Sequence, residues 1–149
     1  MFNNPDFPTR DVRAAAAYAM LGIDGIQSSI ENFKRARPGG DEGAVFGLLI
    51  FCREVDTIEQ CVGDASALSK IHGYLTEVIH DGKSRDAREW ALQGRLSIYP
   101  NDQPMKAIYT AEVKRLLSHV ALNDPDKDLR AYALMAISNI ERRITAEHE

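Results

Sequence analysis

The chain has 149 residues, enough for one domain of ordinary size, and its 44% hydrophobic and 27% charged content is that of a water-soluble globular protein, which argues against disorder. A formal charge of −4, from 18 basic against 22 acidic residues, argues against a dedicated nucleic-acid binder, which carries a basic excess. Two cysteines, Cys52 and Cys61, are too few for a disulfide framework and match no common metal-ligand spacing, so reduced, partly buried thiols are expected.

Helical periodicity and turn residues together predict about seven helices, near 9–21, 23–36, 42–61, 65–80, 85–99, 104–122 and 126–145. The start Met1-Phe2-Asn3-Asn4-Pro5-Asp6 lacks the basic residues and apolar stretch of a signal peptide. Residues 1–6 and 146–149 are expected to fray. Ala14–Ala17 favours helix strongly and leaves a thin face for close packing. Lys34-Arg35-Ala36-Arg37 reads first as dipole compensation and solvation at a helix C-terminus and second as a phosphate or acidic-partner contact. The turn Arg37-Pro38-Gly39-Gly40 follows, then the apolar stretch Phe46–Phe51 leading into Cys52. Asp64 is a plausible N-cap for a stripe of Leu68, Ile71, Leu75, Val78 and Ile79. Asp81-Gly82, Tyr99–Pro104 and Asn123-Asp124-Pro125 mark further turns. Met105, Ile108, Tyr109, Val113, Leu116, Leu117 and Val120 form one later stripe, and Leu129, Tyr132, Ala133, Ala136, Ile137, Ile140 and Ile144 form the last. No segment alternates as a strand would, and no apolar run is long enough to cross a bilayer. A single cytoplasmic domain over 1–149, with no membrane partner, is expected.

Self-similarity is the main signal. Thr9-Arg10-Asp11-Val12-Arg13-Ala14-Ala15-Ala16 aligns without gaps with Ser84-Arg85-Asp86-Ala87-Arg88-Glu89-Trp90-Ala91 and with Asp126-Lys127-Asp128-Leu129-Arg130-Ala131-Tyr132-Ala133. A small residue recurs three places further on, as Ala19, Gly94 and Ala136. Thr9, Ser84 and Asp126 carry oxygens that can accept bonds from the orphan amides of a helix start. Asp11, Asp86 and Asp128 fall in the first turn, where the macrodipole favours an anion. Arg13, Arg88 and Arg130 run against that dipole, so a structural ladder to carboxylates of neighbouring repeats is expected. From Asp11 to Asp86 is 75 residues, and from Asp86 to Asp128 is 42, a typical period for stacked helix pairs. A degenerate copy should lie between, and Asp41–Leu48, which lacks the Arg, is the candidate.

The stretch Asn123-Asp124-Pro125-Asp126-Lys127-Asp128-Leu129-Arg130-Ala131-Tyr132-Ala133-Leu134 resembles the opening of a HEAT repeat, the family of α-solenoid helical hairpins. The resemblance implies an all-α, right-handed stack of about three and a half antiparallel helix pairs, and usually a binding surface. The final helix, having no partner after it, caps the stack or offers a face to a second copy.

Catalytic and metal chemistry are weakly represented. Cys52 with His72 or His80 would make a nucleophile–base pair, but a core thiol is the simpler account. Glu77 and His80 have the three-residue spacing of di-iron bundles without the other ligands such sites need. His72, His119 and His148 stand outside any ligand cluster. No cofactor, metal or catalytic residue is assigned. Trp90 reads as core, or, if it faces outward, as a binding anchor.

The function expected is a non-catalytic protein-binding module: an adaptor, an inhibitor or an immunity-type protein, with a basic partner favoured by the negative charge. The expected contacts are Asp41, Glu42, Trp90, Tyr99, Asp102, Asp124 and Asp126. Two alternatives remain. One is a HEAT-like nucleic-acid-binding or DNA-repair protein, the other a small helical enzyme using Cys52 or Glu77/His80.

Overall fold

Glycine, proline and capping residues punctuate the chain into helices and almost nothing else. A computed structural model describes residues 10–99 and 103–148, and no strand occurs among them. Thr9 and Asp102 lie outside the described residues. The helices are α1 (Arg10–Asp24), α2 (Ile26–Arg35), α3 (Glu42–Arg53), α4 (Val55–Gly63), α5 (Ala65–Asp81), α6 (Arg85–Ser97), α7 (Gln103–Asn123) and α8 (Lys127–His148), with a 3-10 turn at Arg37–Gly39. None is long and apolar enough to cross a membrane. Two compact units result, Met1–Ile98 and Tyr99–Glu149.

In the first unit, Gly25 alone separates α1 from α2. Its φ of 85° lies in the left-handed region that a Cβ disfavours. The turn folds α2 back so that the Ser29 hydroxyl donates to the Met20 carbonyl at 3.1 Å. Helix α1 packs on α3, α3 on α6, α6 on α5, and α5 on both α2 and α4. Leu21, Ile30, Val45, Leu48, Leu49, Ile71, Tyr74, Leu75, Val78 and Leu92 are fully buried in this unit. The expected α5 stripe is entirely buried, and Asp64 caps that helix by accepting from the Ser66 and Ala67 amides.

Helix α1 crosses α3 closely, which two glycines one turn apart make possible. A Cβ on Gly47 would stand 2.6 Å from the Ala14 carbonyl oxygen and 2.8 Å from the Ala17 Cβ. One on Gly43 would stand 2.4 Å from the Arg13 Cβ.

The helix expected over 42–61 is broken at Glu54, whose backbone is extended at φ −72° and ψ 139°. The cysteines give a physical reason. Cys52 and Cys61 form a disulfide with Cα atoms 5.9 Å apart, whereas nine residues of unbroken helix would separate them by about 13.5 Å. The reduced thiols expected from the sequence are therefore corrected to a disulfide, buried at both ends.

The second unit is a helical hairpin of α7 and α8, packed on each other. Tyr109, Val113, Leu116, Leu117, Val120, Leu129 and Ala133 are its buried apolar residues. Ile108, expected on the buried stripe, is 55% exposed instead. Asp126 caps α8 by accepting from the Leu129 amide at 2.9 Å.

Candidate partner-binding surface

Two of the three arginines that share the sequence pattern, Arg88 and Arg130, bond to the turn before their own helix. Arg88 Nη1 donates to the Gly82 carbonyl at 2.8 Å, and Arg130 Nη1 donates to the Asp124 carbonyl at 2.6 Å. In both cases the acceptor lies six residues back, in the turn that leads into the helix. A guanidinium has enough donors and reach to close that turn from a first-turn position, which a lysine point charge does less well. Arg13 is exposed, and the residue six places before it lies outside the described residues. Asp11, Asp86 and Asp128 stand in the first turns of α1, α6 and α8, where the dipole favours them. Ser84 caps α6 by accepting from the Ala87 amide at 3.3 Å.

Of the expected contact residues, two are committed to holding the first unit together. Asp41 is buried, and both its carboxylate oxygens accept from Arg37, at 3.0 and 3.2 Å. Arg37 also pairs with Asp81 and, at 3.7 Å, with Glu77, which Lys34 meets at 3.8 Å. Burial opposes the charge on the Arg37 guanidinium, yet the Asp41 and Asp81 carboxylates hold its pKa above the ordinary value. The Tyr74 hydroxyl is buried beside the cluster with no hydrogen-bond partner, and burial raises its pKa. Arg37 thus clamps the start of α3 to the end of α5. Neither sequence reading of the basic run named that role. Glu42 is half-buried and accepts from the Ser84 hydroxyl, tying the start of α3 to the start of α6.

Trp90 is half-buried, so it belongs neither wholly to the core nor wholly to solvent. Its ring lies 5.0 Å from that of Phe46 on α3, tilted by 43°. Phe46 is also half-buried, and Ile50, one turn further along α3, is 38% exposed. Together these side chains make an apolar patch on the outer side of the α3–α6 pair. Arg85 and Glu89 on α6 form an ion pair at 2.5 Å, and Glu42 stands one turn before Phe46, so charged groups flank the aromatics. An aromatic centre with a charged rim is the usual anatomy of a binding hot spot. Phe46 and Ile50 belong to the apolar stretch before Cys52, which the sequence reading did not divide into faces. Helical spacing could have revealed them: 45, 48, 49 and 52 take one face, leaving 46 and 50 outside it.

In the second unit, Tyr99 stacks on Tyr109 at 5.3 Å with Lys106 over its ring at 5.8 Å. Asp124 is buried, and its side chain accepts from the Asp126 amide at 2.9 Å, while Asp126 is the cap of α8. These two carboxylates organise the turn before α8.

The candidate chemistry does not assemble. Cys52 is 3% exposed and its sulfur is bonded to Cys61, which leaves no thiolate to act as nucleophile. His72 Nε2 lies 2.5 Å from the Ile98 carbonyl, where it ties α5 to the end of α6. Glu77 is engaged by Arg37 and Lys34, and His80 is exposed. Among the described residues no group of three or more His, Cys, Asp or Glu could hold a metal ion. Compared with protein-family models, curated proteins and solved structures, the chain matches none.

Proposed function

We propose that this chain is a stacked helical-repeat module of HEAT-like type that binds another protein through the outer face of α3 and α6. The observation that carries the reading is the Phe46–Trp90 pair, half-exposed, with Ile50 beside it and charged groups around it. Rigid aromatics held on packed helices lose little entropy on binding, and Trp is among the residues that dominate interface energies. The repeat reading is supported by the side-by-side packing of α1, α3 and α6, the helices that open with the repeated pattern or its degenerate copy. An excess of four negative charges favours a basic partner and salt-sensitive association. The module serves as an adaptor, an inhibitor or an immunity-type protein.

The test is affinity capture from native lysate with wild-type protein and with a Trp90→Ala, Phe46→Ala double variant whose circular dichroism matches wild type. A protein recovered stoichiometrically by wild type, released by salt and missed by the variant supports the reading. Equal recovery by both removes this face from the account. Recovery of nuclease-sensitive nucleic acid instead would replace a protein partner with a nucleic-acid one.

A further inference from the structure

The corner between α3 and α4 has no local cause. Arg53, Glu54 and Val55 include neither glycine nor proline, and Glu54 gives α4 no side-chain cap. The first turn of α4 thus lacks the acceptor that Asp64 supplies to α5 and Ser84 to α6. What brings the two helices together at this corner is the bond between Cys52, in the last turn of α3, and Cys61, in the last turn of α4.

Helix α4 is otherwise weakly rooted. From Arg53 to Ser66, Cys61 is the only buried side chain among the described residues, while Val62 is half-buried and Ile58 is 45% exposed. Its 9 residues fall short of the length, about 12, at which a helix persists without tertiary support. The neighbouring segments differ. Helix α3 buries Leu48, Leu49, Phe51 and Cys52, and α5 is capped by Asp64 and buries Ala67 and Leu68 in its first turn. The corner itself is held to α1, because the Tyr18 hydroxyl bonds to the Glu54 side chain and the Tyr18 ring meets Phe51 edge-on at 5.6 Å. A short helix with one buried side chain therefore hangs between two anchored ones.

We propose that the Cys52–Cys61 disulfide is a redox latch, whose reduction releases α4 and exposes the Cys61 thiol while α3, α5 and the Cys52 thiol stay in place. The reductant is a dithiol. One of its thiolates attacks a sulfur of the pair, which breaks the S–S bond and forms a mixed disulfide. Its second thiolate then displaces the protein sulfur and closes the reductant's own disulfide. Two electrons pass to the protein, and the two protons of the dithiol end on Cys52 and Cys61. Both sulfurs are buried, so attack waits on local opening of α4. A disulfide oxidant reverses the same steps and docks α4 again. Cys61 is thus a thiol offered to modification or exchange only under reducing conditions, whereas Cys52 remains a core residue.

Hydrogen–deuterium exchange of the wild-type chain with and without dithiothreitol tests the latch, paired with iodoacetamide labelling read peptide by peptide. Without reductant neither cysteine should label. With it, amides over 55–63 should exchange at least about 10-fold faster, while those over 42–52 and 65–81 keep their protection. Cys61 should label at least about 10-fold faster than Cys52, since a buried thiol is shielded and an exposed one is not. Oxidised glutathione should restore protection to an unlabelled sample. Cys52→Ala leaves Cys61 without its partner, and should show the open α4 and the fast thiol with no reductant added. Unchanged exchange over 55–63 after complete reduction would make the bond a passive staple and overturn the proposal. Loss of protection throughout α3 and α5, equal labelling of the two thiols, or labelling of both without reductant would overturn it as well.

Discussion

Adding one methyl group at Gly47 tests the packing on which the α3–α6 face depends. In an open helix, Gly→Ala stabilises by about 1 kcal/mol, because alanine has less backbone entropy to lose. At Gly47 the new Cβ meets a backbone oxygen at 2.6 Å and a Cβ at 2.8 Å, and neither belongs to a flexible side chain that can swing away. Overpacking of that kind costs about 1–3 kcal/mol, and contacts this short point to the upper end. Gly47→Ala should therefore lose about 2 kcal/mol after the propensity gain is subtracted. Gly73, within α5, is the internal control. Nothing lies within 4 Å of a Cβ built there, so Gly73→Ala should gain about 1 kcal/mol. Urea denaturation followed by Trp90 fluorescence reads both, because Trp90 is the only tryptophan and lies in the same unit. A gain at Gly47 equal to that at Gly73 would refute the close crossing of α1 and α3.

Further expectations concern the turns, the clamp, the disulfide and a surface ion pair. Arg88→Ala should destabilise by about 2 kcal/mol in the same urea assay, since the Gly82 carbonyl loses a charged donor in a buried place. Asp41→Asn should cost about 2 kcal/mol, less than breaking a fully isolated buried pair, because Arg37 keeps Asp81 and Glu77. Asp81→Asn, at an exposed carboxylate, should cost well under about 1 kcal/mol. Reducing Cys52–Cys61 should lower stability by about 2–3 kcal/mol on the chain-entropy account of a nine-residue separation, and a Cys52→Ser, Cys61→Ser variant should then be insensitive to reductant. The Lys70 ammonium, 2.7 Å from Glu31, holds the Glu31 carboxyl below its usual range. A depressed carboxylate pKa stabilises above the unfolded value and is lost as pH falls through the folded value. Wild type and Glu31→Gln should accordingly differ most near neutrality and converge in acid, as followed by thermal melting against pH.

Much of the helical framework was legible because local chemistry fixes it. Ser84, Asp64 and Asp126 read as caps and are caps, with side-chain oxygens accepting from first-turn amides. The stripe of α5 read as core and is buried throughout. What escaped was decided by tertiary context. The break at Glu54 has no glycine or proline to announce it and goes with a disulfide that spacing alone did not suggest. Arg37 looked like one member of a solvated basic run, yet it reaches 44 residues along the chain to Asp81. The repeated Arg was recognised as needing a partner, but the carbonyl six residues back is a backbone group that no side-chain pattern records. In α1 the repeat pattern located the helix while its buried face lies elsewhere, on Ala14, Ala17 and Leu21, because α3 offers glycines there.

The most direct test of the binding reading is the affinity of the captured partner for wild type and for Trp90→Ala, measured by isothermal titration at one salt concentration. Loss of a central aromatic anchor should raise Kd by at least about 30-fold with the circular dichroism unchanged. An unchanged Kd with the variant folded would contradict the account, because no partner that seats on the α3–α6 face could ignore the removal of its largest side chain.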